Sequence, residues 1–249
     1  MFARLLVPAF ASTLALAAPL GAMDLTELSE AERAQFGAEV RAYLMANPEV
    51  IMEAVAQLQN REAEAQAQAD FDLVSVNADE IFNDGYSWVG GNPEGDIVLV
   101  EFLDYRCGYC KKSHSEVAKL LETDGNIKLI VKEFPILGEQ SVLASRFAVA
   151  VKQVAGDEKY RLLNDALMEF NGDISAATLR RLGDSFELDM DAIEARMTSP
   201  EVTAEITKTR ELAQKLQISG TPTFVMQDEM LRGYLPYDQM MALIEEKRG

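Results

Sequence analysis

IVLVEFLDYRCGYCKKSH, residues 97–114, contains both cysteines of the 249-residue chain, Cys107 and Cys110, and its single histidine, His114. Residues 97–103 form a short, apolar, β-branched run of the kind a buried strand requires, interrupted by one acid, Glu101. Beyond Cys107 the pattern becomes helical, with Val117, Leu120 and Leu121 on an inner face. The cysteines therefore stand where a strand hands over to a helix. The first N–H groups of a helix lack intrahelical partners, and the helix dipole favours an anion there. A Cys107 thiolate is the form stabilised at such a place, and it is also the form that attacks a disulfide. Cys110 lies about one turn deeper, within reach of a mixed disulfide on Cys107. Arg106, Lys111 and Lys112 add positive charge around the pair; the competing reading of these bases is an ordinary solvated helix start.

Three uses of a C-x-x-C pair compete: staple, metal half-site and redox couple. A staple closing so short a loop removes little unfolded-chain entropy, which makes a structural role a poor explanation. A closed zinc site wants four ligands, whereas this chain offers Cys107, Cys110 and His114 with no second C-x-x-C. Copper(I) is less demanding, because two soft thiolates suffice for transient binding. His114, four residues after Cys110, reads as a partly exposed polar residue, with a ligand or proton shuttle as the alternative.

Working outward, WVGGNPEGD (88–96) reads as turn-rich, and IKLIVKEFPI (127–136) as a second strand after a helix stop at Asp124-Gly125-Asn126. Residues 138–217 read as several helices. SGTPTFVM (219–226) follows as a strand with a proline at its start, then a short strand, a turn and a closing amphipathic helix. Strands alternating with helices in this order give an α/β layout. On the N-terminal side, Ser29 and Glu32 form a capping-box pattern, and Phe36, Val40, Tyr43 and Leu44 recur on one helical face. Asn47-Pro48 reads as a second helix start, and Ile51, Val55 and Leu58 continue an apolar stripe. REAEAQAQAD (61–70) reads as an exposed helical linker. Such stripes must be covered, either by the chain's own second domain or by other copies. The linker favours other copies.

Residues 1–22 carry one base, Arg4, an apolar run and small residues at Gly21-Ala22, which predicts a secretory signal peptide cleaved after Ala22. A retained membrane anchor is the alternative, opposed by Pro8, Ser12, Thr13 and Pro19. The formal charge of −18 becomes −19 without that segment, which argues against sequence-independent nucleic-acid binding. The scattered acids read as a solvated surface.

CGYC after a strand ending EFLDY, with SGTPTFV about a hundred residues downstream, resembles the thioredoxin-fold family of exported Dsb proteins. The helical stretch 138–217 sits where DsbA-like members insert their helical domain, and RAYLMANPEVIMEAV resembles the N-terminal segment of ScsC relatives. The resemblance implies a thioredoxin fold with a helical insertion, preceded by an N-terminal helical oligomerisation segment. It divides the chain into a signal peptide over 1–22, the helical segment and linker over 23–70, and a DsbA-like domain over 71–249. It implies that Cys107 is the nucleophile and Cys110 the resolving thiol. It further implies that Thr221-Pro222 is a cis-proline loop seating substrate, and that Glu101 is a buried proton acceptor. The implied activity is thiol–disulfide exchange on exported cysteine-containing proteins, as oxidase or isomerase, in the periplasm. No cofactor or resident metal is implied. The implied partners are a DsbD-like or DsbB-like membrane redox protein and other copies of the chain, as a trimer or dimer. Gly-Tyr between the cysteines and Thr before the proline resemble the isomerase DsbC. Copper handling through the same thiols and chaperone-like holding are the competing readings.

Overall fold

The computed structural model describes residues 28–249, so the leader expected over 1–22 lies outside the described residues. The chain divides into two compact units, one ending at Asn60 and one running Arg61–Gly249.

In the first unit, α1 (Glu30–Ala46) opens with the expected capping box: the Glu32 N–H donates to Ser29 Oγ, and the Ser29 N–H donates to Glu32 Oε2 at 2.9 Å. Asn47 differs from expectation. Its side-chain Nδ2 donates to Tyr43 O at 2.9 Å, so the amide closes the first helix instead of opening the second. α2 (Glu49–Val76) follows directly. α1 buries no residue, and Phe36, Val40 and Tyr43 stay exposed, as do Ile51, Val55 and Leu58 of α2. Within the first unit these stripes lie on the surface. Residues 61–70 are helical and exposed as expected, within the 28-residue α2, except for Asp70, which is buried.

The second unit contains the C-terminal part of α2, then α3 (Ala78–Phe82), β1 (Trp88–Gly91), β2 (Ile97–Leu103), α4 (Gly108–Asp124) and β3 (Ile127–Glu133). After these come α5 (Glu139–Ala155), α6 (Asp157–Glu169), α7 (Ala176–Ser185), α8 (Met190–Met197) and α9 (Pro200–Lys215). β4 (Thr223–Met226), β5 (Glu229–Arg232) and α10 (Tyr237–Arg248) close it. The sheet order is β1-β3-β2-β4-β5, with β2 parallel to β3 and antiparallel to β4.

β2 is central and buried on both faces, which is why its sequence is almost continuously apolar. Ile97, Leu99 and Leu103 share one core with Val117 and Leu120 of α4 and Met240 and Ile244 of α10. Val100 and Phe102 point the other way, into a core with Ile81, Leu212 and Leu216. Each such side chain, when fully buried, contributes about 1.5–3 kcal/mol. Glu101 has the parity of the first set and so faces α4. α9 belongs to both cores: Val202 and Ile206 pack in the first, Leu212 and Ala213 in the second.

β1 is a strand that the turn-rich reading of residues 88–96 does not anticipate. It pairs antiparallel with β3, Trp88 opposite Val131. Its last residue, Gly91, has φ 67°, and a Cβ there would lie 2.3 Å from Ile127 O, so only glycine fits.

Candidate active site

Cys107 is the N-cap of α4, in extended conformation (φ −78°, ψ 117°), and its carbonyl already accepts from the Lys111 N–H at 3.1 Å. Asp104, fully buried, organises the approach to it. Its Oδ1 accepts from the Arg106 N–H at 2.8 Å, and its Oδ2 from Ile136 and Leu137 N–H at 2.8 and 3.0 Å. The end of β2 is thereby tied to the loop after β3.

Both thiols are free. Cys107 is 8 % exposed and Cys110 not at all. A hydrogen bond from the Cys110 thiol, with the Thr221 side chain and the backbone N–H groups of Cys110 and Tyr109, brings the Cys107 pKa down to about 5 against the opposing effect of burial. The same hydrogen bond, then burial and the charge of Glu101, push Cys110 far above the ordinary thiol range. One thiol is therefore ionised at neutral pH while its neighbour holds its proton. The three nearby bases are directed elsewhere. Arg106 Nη1 donates to Gly172 O at 3.0 Å, Lys111 Nζ to Phe170 O, and Lys112 Nζ lies 4.1 Å from the centre of the Tyr234 ring. Helix geometry and the second thiol, rather than these bases, account for the thiolate.

Thr221-Pro222 is a cis peptide bond on the loop entering β4, and Cys107 Sγ lies 3.1 Å from Thr221 O. The Pro222 carbonyl is held by the Gly233 N–H at 3.0 Å. Ser219, Gly220, Thr221, Pro222 and Gly233 line a shallow groove of about 150 Å³ beside this contact. Glu101 is 3 % exposed, and its Oε1 has no hydrogen-bond partner in the structure. Burial pushes its pKa up to about 7, with His114 drawing it down and Glu133 raising it. The sequence positions Cys107, Cys110, Glu101 and Thr221-Pro222 thus gather around the start of α4.

Two features escape sequence reasoning. His114 Nε2 pairs with Asp165 Oδ1 of α6 at 3.1 Å. Glu133, at the end of β3, accepts from Tyr105 and Tyr160 hydroxyls at 2.6 and 2.7 Å in a fully buried cluster. The second acid was visible in IKLIVKE, but its phenol partners lie in other elements.

This fold, with a C-x-x-C at the first helix turn opposite a cis-proline, defines a thioredoxin-type protein with a helical insertion. The family profile described as "DSBA-like thioredoxin domain" matches residues 98–245, and the chain belongs to that family. Residues 32–65 match the profile "Copper resistance protein ScsC N-terminal domain", which places α1 and the start of α2 in an ScsC-like segment. Among solved structures, a thioredoxin-like oxidoreductase from Silicibacter pomeroyi DSS-3 is 39% identical, with a TM-score of 0.64 over 68% of this chain and 96% of that one. BcfH from Salmonella enterica Typhimurium is 26% identical, with a TM-score of 0.72 over 88% of this chain and 97% of that one. Disulfide bond formation protein D of Bacillus subtilis is 23% identical over 167 residues, covering 63% of this chain and 75% of that protein. The chain also matches sodium/proton antiporters, such as NhaA 1 of Salinispora arenicola at 24% identity, but spans only 24% of that protein's length and 63% of its own. Among the described residues no helix is long and apolar enough to cross a membrane.

Proposed function

We propose that the chain is an exported thiol–disulfide oxidoreductase that forms or reshuffles disulfides in cysteine-containing proteins. The observation that carries this reading is the unequal ionisation of Cys107 and Cys110 at the start of α4, against the Thr221 carbonyl. In this scheme the Cys107 thiolate attacks one sulfur of a substrate disulfide and expels the other as a thiolate. Cys110, having lost its proton to Glu101, then attacks Cys107 Sγ and expels the second substrate thiolate. The pair ends as a disulfide, and the substrate, which takes up two electrons, as two thiols. The reverse sequence oxidises a substrate dithiol. The groove along Thr221-Pro222 seats the extended substrate chain.

The low pKa of Cys107 makes it a good leaving group and stabilises the reduced pair, which favours delivery of disulfides to substrates. Apolar stripes on the surface of the first unit fit association with further copies through residues 23–70, as a dimer or trimer. Several sites facing one substrate would suit reshuffling. A periplasmic location, after removal of residues 1–22, accords with both the pair and the segment. A DsbD-like or DsbB-like membrane protein would reset the pair. The domain limits we assign are those of the sequence reading, 23–70 and 71–249.

The purified mature chain, offered scrambled and fully reduced forms of one substrate protein, distinguishes the directions. Faster rescue of the scrambled form identifies an isomerase, and faster oxidation of the reduced form an oxidase. Turnover of neither overturns the proposal.

A second reading is favoured by the ScsC N-terminal match and the two adjacent free thiols: transient copper(I) binding at Cys107 and Cys110. Stoichiometric copper(I) uptake without turnover of a scrambled substrate would establish it instead.

A further inference from the structure

Resting on the exchange reading above, we propose that a cleft beside Glu101 carries the proton released by Cys110 out of the protein, with His114 and Asp165 as the relay at its mouth.

The resolving thiol must shed its proton to attack, yet Cys110 is completely buried. Glu101 is the carboxylate whose charge bears on it, and Glu101 is itself 3 % exposed. A carboxylate sealed in this way accepts one proton and then stops. With a pKa of about 7 it is already partly protonated at neutral pH, so it must be emptied before Cys110 can resolve the mixed disulfide even once. A cleft of about 250 Å³ adjoins it, lined by Glu101 at depth and by His114, Ala118, Arg161, Asn164 and Asp165 among others. That volume holds several water molecules, each needing roughly 30 Å³. Glu101 Oε1, without a protein partner, is free to hand a proton to such a chain.

Glu101 stands in register with Val131 of β3, and the acid two residues on, Glu133, is buried with its Oε1 held by the Tyr105 and Tyr160 hydroxyls, so β3 offers no exit to solvent. The exit comes from α4 instead. His114 follows Cys110 by four residues, one helical turn, so both project from the same face. The His114 side chain is 24% exposed and its partner Asp165 45%, which brings this pair to solvent while Glu101 stays inside. The groups acting on His114 are Glu101 from β2 and Asp165 and Glu169 from α6, while Arg161 of α6 also lines the cleft and Glu133 of β3 acts on Glu101. The acids together raise the imidazole pKa despite its burial, which stabilises the protonated imidazole at the mouth of the cleft while it carries a proton outward.

In this step the Cys110 S–H proton moves to a Glu101 oxygen, through water in the cleft to His114, and on to solvent. The electron pair left on sulfur forms the bond to Cys107 Sγ as the bond from Cys107 Sγ to the substrate sulfur breaks, and that sulfur leaves as a thiolate. His114 acts through Glu101 and is a relay residue, not a group that touches the reacting sulfurs.

The test is a single-turnover reaction of the reduced protein with a peptide disulfide carrying a different label on each thiol. The first thiol released reports attack by Cys107, and the second reports resolution by Cys110. His114→Gln is expected to slow the second release about tenfold at pH 7 and leave the first within about twofold, less than the roughly hundredfold or more of a direct general acid–base group because His114 acts through Glu101. The deficit should shrink towards pH 9, where hydroxide replaces the relay. Ala118→Leu, which fills the cleft from an exposed position with His114 intact, should show the same selective slowing. A ratio of second to first release equal to wild type in a folded variant overturns the relay. If wild type releases neither thiol, the exchange reading fails, and that outcome is distinct.

Discussion

Cys107 Sγ lies 3.1 Å from the carbonyl oxygen of Thr221, a residue 114 positions away in the chain. In its thiol form Cys107 donates to that oxygen. The carbonyl is an acceptor and does nothing for the thiolate, so the anion is held by the Cys110 thiol, the Thr221 side chain and the first N–H groups of α4. Cys107 and the Thr221-Pro222 loop are thus adjacent, with the hydrogen bond between them made only while Cys107 keeps its proton.

That arrangement gives a pH signature. Alkylation of Cys107 in the reduced protein should titrate with a midpoint near pH 5, as against about 8.5 for a free thiol. The rate should be flat above pH 7 and fall below pH 5. Folding stability of the reduced form follows the same group. With the folded pKa depressed, the contribution is present in full above the unfolded pKa and lost as pH falls to the folded one. A midpoint near 8.5 in the alkylation profile would contradict the geometry.

Replacing each thiol separates their roles. Cys107→Ser is expected to abolish exchange, since the remaining thiol is buried and protonated. Cys110→Ser is expected to form mixed disulfides that accumulate, visible as a mass increase under non-reducing conditions. Full activity in Cys107→Ser would remove the basis of the assignment.

Glu101→Gln tests the buried carboxyl. The folded pKa of Glu101, about 7, lies above the ordinary 4.5, so the wild type loses stability as pH rises from 4.5 through 7. The glutamine variant does not titrate. At pH 8 it should be more stable by roughly 2–4 kcal/mol, while at pH 4 the two should coincide. Denaturant melts at the two pH values measure this. The same variant should resolve mixed disulfides more slowly.

Asp70 anchors the last turns of α2. Its Oδ1 accepts from Arg232 Nη2 at 2.6 Å and its Oδ2 from Arg232 Nε at 3.1 Å, with the carboxylate buried and the base partly open to solvent. Asp70→Ala should cost about 2 kcal/mol, less than for a fully buried pair because the guanidinium keeps some water and its Gln217 carbonyl. A melting curve unchanged from wild type would show that the pair contributes nothing.

Charging the bare stripe reports on assembly. Phe36→Asp with Val55→Asp should reduce the mass measured by light scattering to that of one chain, without loss of α-helical signal from Arg61–Gly249. An assembly of unchanged mass would locate the contact elsewhere.

What the sequence disclosed was governed by distance along the chain. Cys107 and Cys110 are local to one turn, and Glu101 betrays itself as an acid inside an apolar strand. The capping box at Ser29 and the Gly125 stop, with φ 70°, are local too. Thr221-Pro222 could be placed only through its resemblance to a known loop. The pairs that escaped are non-local. Nothing near Asp70 announces Arg232, 162 residues on, and nothing near His114 announces Asp165. β1 escaped for another reason: two of its four residues are glycine, so it has almost no strand propensity and exists because β3 offers an edge.

α9 has a mechanical meaning. One helix supplies side chains both to the core under the inserted helices and to the core behind the sheet. Fraying from one end of α9 opens only the core that end covers, whereas loss of the whole helix uncovers both at once. The inserted helices and the sheet should therefore exchange their slowest amide protons at one common rate, so that a substrate pulling on either layer meets the resistance of the entire unit.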